Sequence, residues 1–264
     1  MKFIRLATTT ALTASILAGG VTAFADPNPV TEVETEAQVT FEADTESELE
    51  VIPPVTDPDV IIEPEVPGTT GPLSIIKAAT MDFGTQKISN QDQTYNMLTE
   101  WASLADSSGD KVPYVSFAQV QDVRGTNEGW QLQVTLDDFT SSTQNDVLTG
   151  AEITFVKGNI EYLGDEANAP TAHDDDLVLE AGGAAQPVMT AAEGQGAGAS
   201  SVVWGDQANL TAQFEDPAFD PDTDVIENEA IQLFVPGNTS KDATTYESTL
   251  TWELTAAPDE NAGG

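Results

Sequence analysis

Two stretches of this chain alternate apolar and polar residues with a period of two. In Gly129-Trp130-Gln131-Leu132-Gln133-Val134-Thr135-Leu136 every second residue from Trp130 is apolar. Leu250-Thr251-Trp252-Glu253-Leu254-Thr255 repeats the pattern, with Tyr246 on the same parity. That spacing sends Trp and Leu to one face of a strand and Gln, Thr and Glu to the other. Strands are therefore predicted over 129–136 and 246–255. Shorter β-branched and aromatic runs, bounded by Gly, Pro, Asn, Asp and Ser, predict more strands over 73–76, 114–120, 151–156, 177–180, 201–204 and 230–235. A helical or irregular piece is expected over 95–104, and the Gly/Ala-rich stretch 182–198 reads as a loop. Many short strands separated by turn signals indicate one all-β domain over 73–258. The expected architecture is a β-sandwich, Ig-like or jelly-roll-like, with Trp101, Trp130, Trp204 and Trp252 to anchor its core.

The pattern changes before residue 73. Lys2 and Arg5 precede an apolar Thr/Ala-rich run from Leu6 to Leu17, and Ala23-Phe24-Ala25 supplies small residues at a cleavage site. Residues 1–25 therefore read as a signal peptide, too short in its apolar part to span a membrane. Residues 26–72 hold many acidic residues, eight prolines and no Lys or Arg, which predicts an extended, mostly disordered linker. One island within it, 37–43, alternates apolar and polar. It is either a strand docked on the domain edge or chance patterning. The tail, 259–264, carries no apolar anchor and no basic stop, so neither covalent wall sorting nor membrane anchoring is expected.

Charge and cysteine usage narrow the picture. The full chain of 264 residues has a formal charge of −37, and no cysteine. Without residues 1–25, six basic residues face 45 acidic ones, a charge of −39. Phosphate contacts need Lys and Arg, so nucleic acid is excluded as a partner. An exported protein without cysteine must draw its stability from its core.

Little in the residue inventory suggests catalysis. His173 is the only histidine, and it sits in Ala172-His173-Asp174-Asp175-Asp176, which reads as a solvated loop. One His without a serine elbow or a cysteine builds neither a nucleophilic triad nor a usual zinc site. Gly194-Gln195-Gly196-Ala197-Gly198 has the look of a phosphate-cradling loop but lacks the lysine, and reads as a flexible turn. Calcium is the one cofactor to weigh. Asp220, Asp222 and Asp224, with Asp216, Glu227 and Glu229 nearby, have the alternate spacing that lets oxygen ligands converge, although a solvated acidic loop is the default.

The two alternating stretches share the tripeptide Trp-x-Leu, as Trp130-Gln131-Leu132 and Trp252-Glu253-Leu254. With their flanks, they resemble the WxL-domain surface proteins of low-GC Gram-positive bacteria. The similarity extends to Gly71-Pro72-Leu73-Ser74-Ile75, Asp82-Phe83-Gly84-Thr85-Gln86, Val120-Gln121-Asp122-Val123-Arg124-Gly125-Thr126, Val235-Pro236-Gly237 and the run from Tyr246 to Leu254. The resemblance implies an exported protein held non-covalently at the cell wall. Peptidoglycan is its expected ligand, and a membrane-anchored WxL-interacting protein a possible companion. It also makes Trp130, Leu132, Trp252 and Leu254 the motif residues, expected to serve mainly as core and secondarily as a sugar platform.

Overall fold

Alternation produces the strands it predicts, but they do not assemble as a sandwich. The computed structural model describes residues 36–43, 50–106, 108–173 and 175–256. The expected signal peptide, the tail 259–264 and Asp174 lie outside the described residues. The chain divides between Thr40 and Phe41 into two units. Of the first, residues 36–40 are described, exposed and without regular structure. In the second, residues 41–43 are likewise exposed and irregular, so the island 37–43 forms no strand.

In chain order the strands are β1 (Val60–Ile61), β2 (Leu73–Lys77), β3 (Gln93–Leu98), β4 (Glu100–Leu104), β5 (Lys111–Tyr114), β6 (Ser116–Asp122), β7 (Trp130–Leu136) and β8 (Glu152–Phe155). They continue with β9 (Asn159–Tyr162), β10 (Thr171–Ala172), β11 (Leu177–Glu180), β12 (Gln186–Ala191) and β13 (Gly198–Trp204). After the α-helix α1 (Gln207–Phe214) come β14 (Glu227–Val235) and β15 (Leu250–Ala256). All pairings are antiparallel. The sheets run β1-β4-β5, β10-β12-β7-β15, β11-β8-β14-β3 and β2-β6-β13-β9. Four small sheets set as the blades of a β-propeller replace the expected two-sheet sandwich.

The burial of β6 and β13 explains why the sandwich fails. A sandwich strand has one face in the core and one in water. Here Ala118 and Val120 of β6, with Val202 and Trp204 of β13, enter one apolar cluster, while Phe117 and Val203 enter a second. Ile75 and Ile76 of β2 divide in the same way. The sheet β2-β6-β13-β9 is thus a wall between two cores, as a blade covered on both sides must be. Both faces of β6 are largely closed to solvent, so that even Gln119, which alternates with Ala118 and Val120, is buried.

The second core also recruits residues read from the sequence as linker. Val51 and Val60 are buried, with Val55 and Ile62 packed beside them. The polar atoms of this segment are matched: the Gln119 carboxamide donates to the Ile52 carbonyl (2.7 Å) and accepts from the Ile52 amide (3.0 Å). Tyr114 Oη likewise donates to the Val55 carbonyl and accepts from the Val55 amide at 2.8 Å. Proline and acid content concealed a segment whose few valines find a core. Two other expectations change. The stretch 95–104 is extended, forming most of β3 and all of β4, and β12 occupies the expected loop 182–198. Helix α1 starts at Asp206, whose carboxylate accepts from the amides of Ala208 and Asn209.

Burial pushes the Tyr114 hydroxyl up to about 12 from its ordinary value of 10. The folded protein therefore holds this proton where the unfolded chain has begun to lose it. Stability conferred by Tyr114 should be full below pH 10 and lost as pH rises toward 12. Urea titrations across that range should show the decline, and it should be shallower in Tyr114→Phe.

Candidate functional site

The two Trp-x-Leu tripeptides, 122 residues apart in sequence, are neighbours in one sheet. β7 and β15 pair antiparallel, with Leu132 opposite Leu254, Trp252 opposite Val134, and Ala256 opposite Trp130. On the other side of β7, Met189 of β12 lies opposite Leu132 and Ala191 opposite Trp130. Period two then places Trp130, Leu132, Val134, Trp252 and Leu254 on one face, directed at the larger core. The opposite face carries Gln133 and Glu253, joined by a hydrogen bond at 3.3 Å.

The four motif residues are not equally buried. Trp130 and Leu132 are 0% exposed, whereas Trp252 and Leu254, on the outermost strand, are half-buried against the same core. Burying an indole removes about 150–250 Å² from water, worth on the order of 4–6 kcal/mol before entropy costs. Its N–H then needs an acceptor. Trp130 Nε1 donates to the Gly196 carbonyl at 3.1 Å. Gly196 has φ +72°, and a Cβ there would lie 2.7 Å from Trp130 Nε1 and 2.6 Å from Ala191 Cβ. The glycines that suggested a phosphate loop thus let the chain close over a buried tryptophan.

A second aromatic group links this sheet to its neighbours. Trp204 of β13 lies 4.7 Å from Phe155 of β8 and 6.2 Å from Trp252 of β15, measured between ring centroids. Phe155 and Trp252 meet edge to face at 6.3 Å. Three blades contribute one ring each. Trp204 Nε1 donates to His173 Nε2 at 3.0 Å, so that nitrogen is the acceptor and Nδ1, 2.7 Å from the Asp175 carbonyl, is the donor. The sole histidine is therefore half-buried and structural, not a solvated loop residue, with both ring nitrogens engaged. Its sequence neighbours, three aspartates, gave no sign of this. Gly158 makes the contact possible, since a Cβ there would sit 3.1 Å from His173 Nε2 and 2.6 Å from Val202.

Arg124 secures the entry to β7. Its guanidinium donates to both oxygens of buried Asp122 at 2.9 and 2.7 Å, and to the Gly129 carbonyl at 2.9 Å. That bidentate pair raises the Arg124 pKa further, the hydrogen bond to Asp122 being the main cause. The segment from Val120 to Thr126 is thus a clamp between β6 and β7.

Asp220, Asp222 and Asp224 do not converge. Asp220 Oδ1 accepts from the Asp222 amide at 3.0 Å, and Asp224 Oδ2 accepts from the Asp220 amide at 2.9 Å, so two of the three carboxylates cap a turn. Among the described residues, no three His, Asp or Glu side chains group as a cation site would require.

Sequence reasoning passed over the cavity beside β4. Trp101 is 46% exposed, the outlying member of four tryptophans. It meets Phe214 edge to face at 5.8 Å, and Phe214 in turn meets Phe219 at 5.9 Å. Trp101 lines a cavity of 520 Å³ together with Glu63, Glu65, Lys77, Glu100 and Lys111. Lys77 donates to Glu100 Oε1 at 2.8 Å and lies 4.5 Å over the Phe117 ring, while Glu100 Oε2 is shielded from water without a hydrogen-bond partner. Such an unmatched acceptor costs about 1–3 kcal/mol. The larger groove, 1160 Å³, lies between 81–88 and 241–250 over a floor that includes Tyr95, Ile153 and Leu233.

These features define an all-β module whose motif residues build its core, with no helix among the described residues long and apolar enough to cross a membrane. The model of the WxL family, described as a WxL domain surface cell wall-binding family, matches residues 28–258. The chain belongs to the WxL family, and is a cell-wall-binding surface protein. No curated protein and no solved structure matches it significantly.

Truncating Trp130 to Ala should cost about 3–5 kcal/mol in urea unfolding. Gly196→Ala should cost about 2 kcal/mol or more, because it strains a positive-φ residue and presses on the same indole. A Trp130→Ala protein that unfolds with the parent would show that the indole adds nothing to the core.

Proposed function

We propose that the protein is exported, remains at the cell surface without a covalent tether, and binds peptidoglycan without catalysing a reaction. The observation that carries this reading is the WxL family match, which spans nearly the whole chain. The engaged ring nitrogens of His173 support a binding role, since the single imidazole is committed to Trp204 and Asp175.

The charge pattern constrains how such a protein holds an anionic wall. Of the six basic residues after position 25, Lys77 and Arg124 pair with Glu100 and Asp122. Lys241 donates to the carbonyls of Ser89, Pro236 and Thr239 at 3.3, 2.8 and 3.0 Å. Half of the positive charge is thus spent inside the fold. Long-range electrostatics oppose approach to the wall, with a reach of roughly 8 Å at physiological salt. Attachment therefore rests on short-range hydrogen bonds and stacking.

A second reading makes another surface protein the ligand, such as a membrane-anchored WxL-interacting partner. It is favoured by β15, which ends its sheet and, among the described residues, has no strand paired on its outer edge. Co-sedimentation with purified, protein-free peptidoglycan separates the two. Under the first reading the protein sediments, and its bound fraction persists or rises as sodium chloride is added. A steep loss with salt, or no sedimentation until a surface protein is restored, would displace it.

A further inference from the structure

We propose that the cavity beside β4 is a saccharide site, with Trp101 as its stacking platform and carboxylates as its hydrogen-bond acceptors. This rests on the wall-binding reading and names where on the molecule the glycan is held. The motif tryptophans are poor platforms: Trp130 is sealed, and Trp252 packs against Phe155 and Trp204. Trp204 is also fully buried. Trp101 alone of the four leaves nearly half its surface to solvent, and Phe214 with Phe219 holds it in place.

A pyranose ring has an apolar C–H face and a rim of hydroxyl groups. It needs an aromatic surface for the first and charged or polar partners for the second. The cavity offers both. Its volume, 520 Å³, falls within the ~300–1,000 Å³ of small-ligand pockets. Glu63 and Glu65 line its wall as acceptors for hydroxyl groups, and the exposed Lys111 ammonium is a donor for ring or acyl oxygens.

Glu100 is the most enclosed carboxylate of the lining. Its side chain is only 18% exposed and that of its partner Lys77 only 6%, yet the ion pair uses one carboxylate oxygen. The other, Oε2, has no donor in the fold, although Glu100 lines the cavity. Because Oε2 is closed off from water, an incoming hydroxyl meets Glu63 and Glu65 rather than this oxygen. A neutral sugar also avoids the repulsion that an anionic ligand would meet from Glu63 and Glu65. The occupant is thus the uncharged face of an N-acylated wall glycan, not its stem peptide.

The test uses the protein spanning residues 26–264, intact peptidoglycan, and glycan strands freed of peptide by an amidase and then methyl-esterified at the lactyl carboxylates this leaves, so that they are neutral. Trp101→Ala should bind the strands roughly tenfold more weakly, Trp101→Tyr should recover most of the loss, and melting should stay near the parent value because the ring is at the surface. In the unmutated protein, oxidation of Trp101 by N-bromosuccinimide, mapped by peptide mass spectrometry, should slow when the strands are present. That measurement decides the matter even if the Ala variant folds poorly. Equal affinity of parent and variant for the strands, with unprotected Trp101, would overturn the saccharide site while leaving wall binding intact. If the parent protein binds no peptidoglycan, the wall reading fails and the site fails with it.

Discussion

The packing of Trp130 is the contact on which this fold turns. Its indole lies at the start of β7, an inner strand of β10-β12-β7-β15, and its N–H reaches the carbonyl of Gly196, just before β13 begins. One side chain therefore ties the start of an inner strand of one blade to the approach of another. Arg124 acts at the same end of the strand, holding the Gly129 carbonyl and the Asp122 carboxylate together. With its start clamped and its indole enclosed, β7 has one register available. β15 then adds to it so that Leu254 meets Leu132. The terminal strand docks onto a surface that is already specified.

Enclosure on two sides is what lets so acidic a chain fold. Repulsion among 45 carboxylates disfavours compaction, and no disulfide offsets it. The molecule responds by using the wall β2-β6-β13-β9 twice, once for each core, so that the same strands remove two sets of apolar groups from water. The second core draws in Val51 and Val60 from a segment dominated by proline and acid. Gln119 serves there as a surrogate strand, matching both polar atoms of Ile52. Carboxylates stay largely at the surface, and the buried Asp122 is matched by a guanidinium.

The sequence made some of this legible and hid the rest for physical reasons. β7 and β15 alternate cleanly because each has one wet face, so both strands and their inward residues were readable. β6 was readable as a strand, but its two buried faces belong to different cores, and a run of hydrophobic residues does not say how many partners it has. That ambiguity separates a propeller from a sandwich. β12 was missed because its two β-branched residues, Val188 and Thr190, stand in a short run with a proline, between stretches of glycine and alanine that read as loop; pairing with β7 makes it a strand. His173 and Glu100 escaped for a different cause. Their significance lies in contacts with Trp204 and Lys77, 31 and 23 residues away, which no local pattern records.

The Trp-x-Leu signature is easily taken for a ligand-contacting motif because tryptophan so often contacts sugars. In this chain its residues fix strand register and fill a core, and the work falls unevenly: the β7 copy is sealed, the β15 copy caps the edge. A recurrent motif of this kind reports the fold more directly than the ligand. Residues that touch a wall polymer are free of strand periodicity, since they must face outward from loops and edges. Trp101 is the exception in position, since β4 is the middle strand of its small sheet, but its ring faces outward beside the irregular stretch containing Glu63 and Glu65. Separating the two tasks has a physical rationale. A core tryptophan cannot turn outward to bind without exposing its neighbours, whereas an indole braced at the surface by two phenylalanines is already positioned and loses little freedom when a ligand arrives.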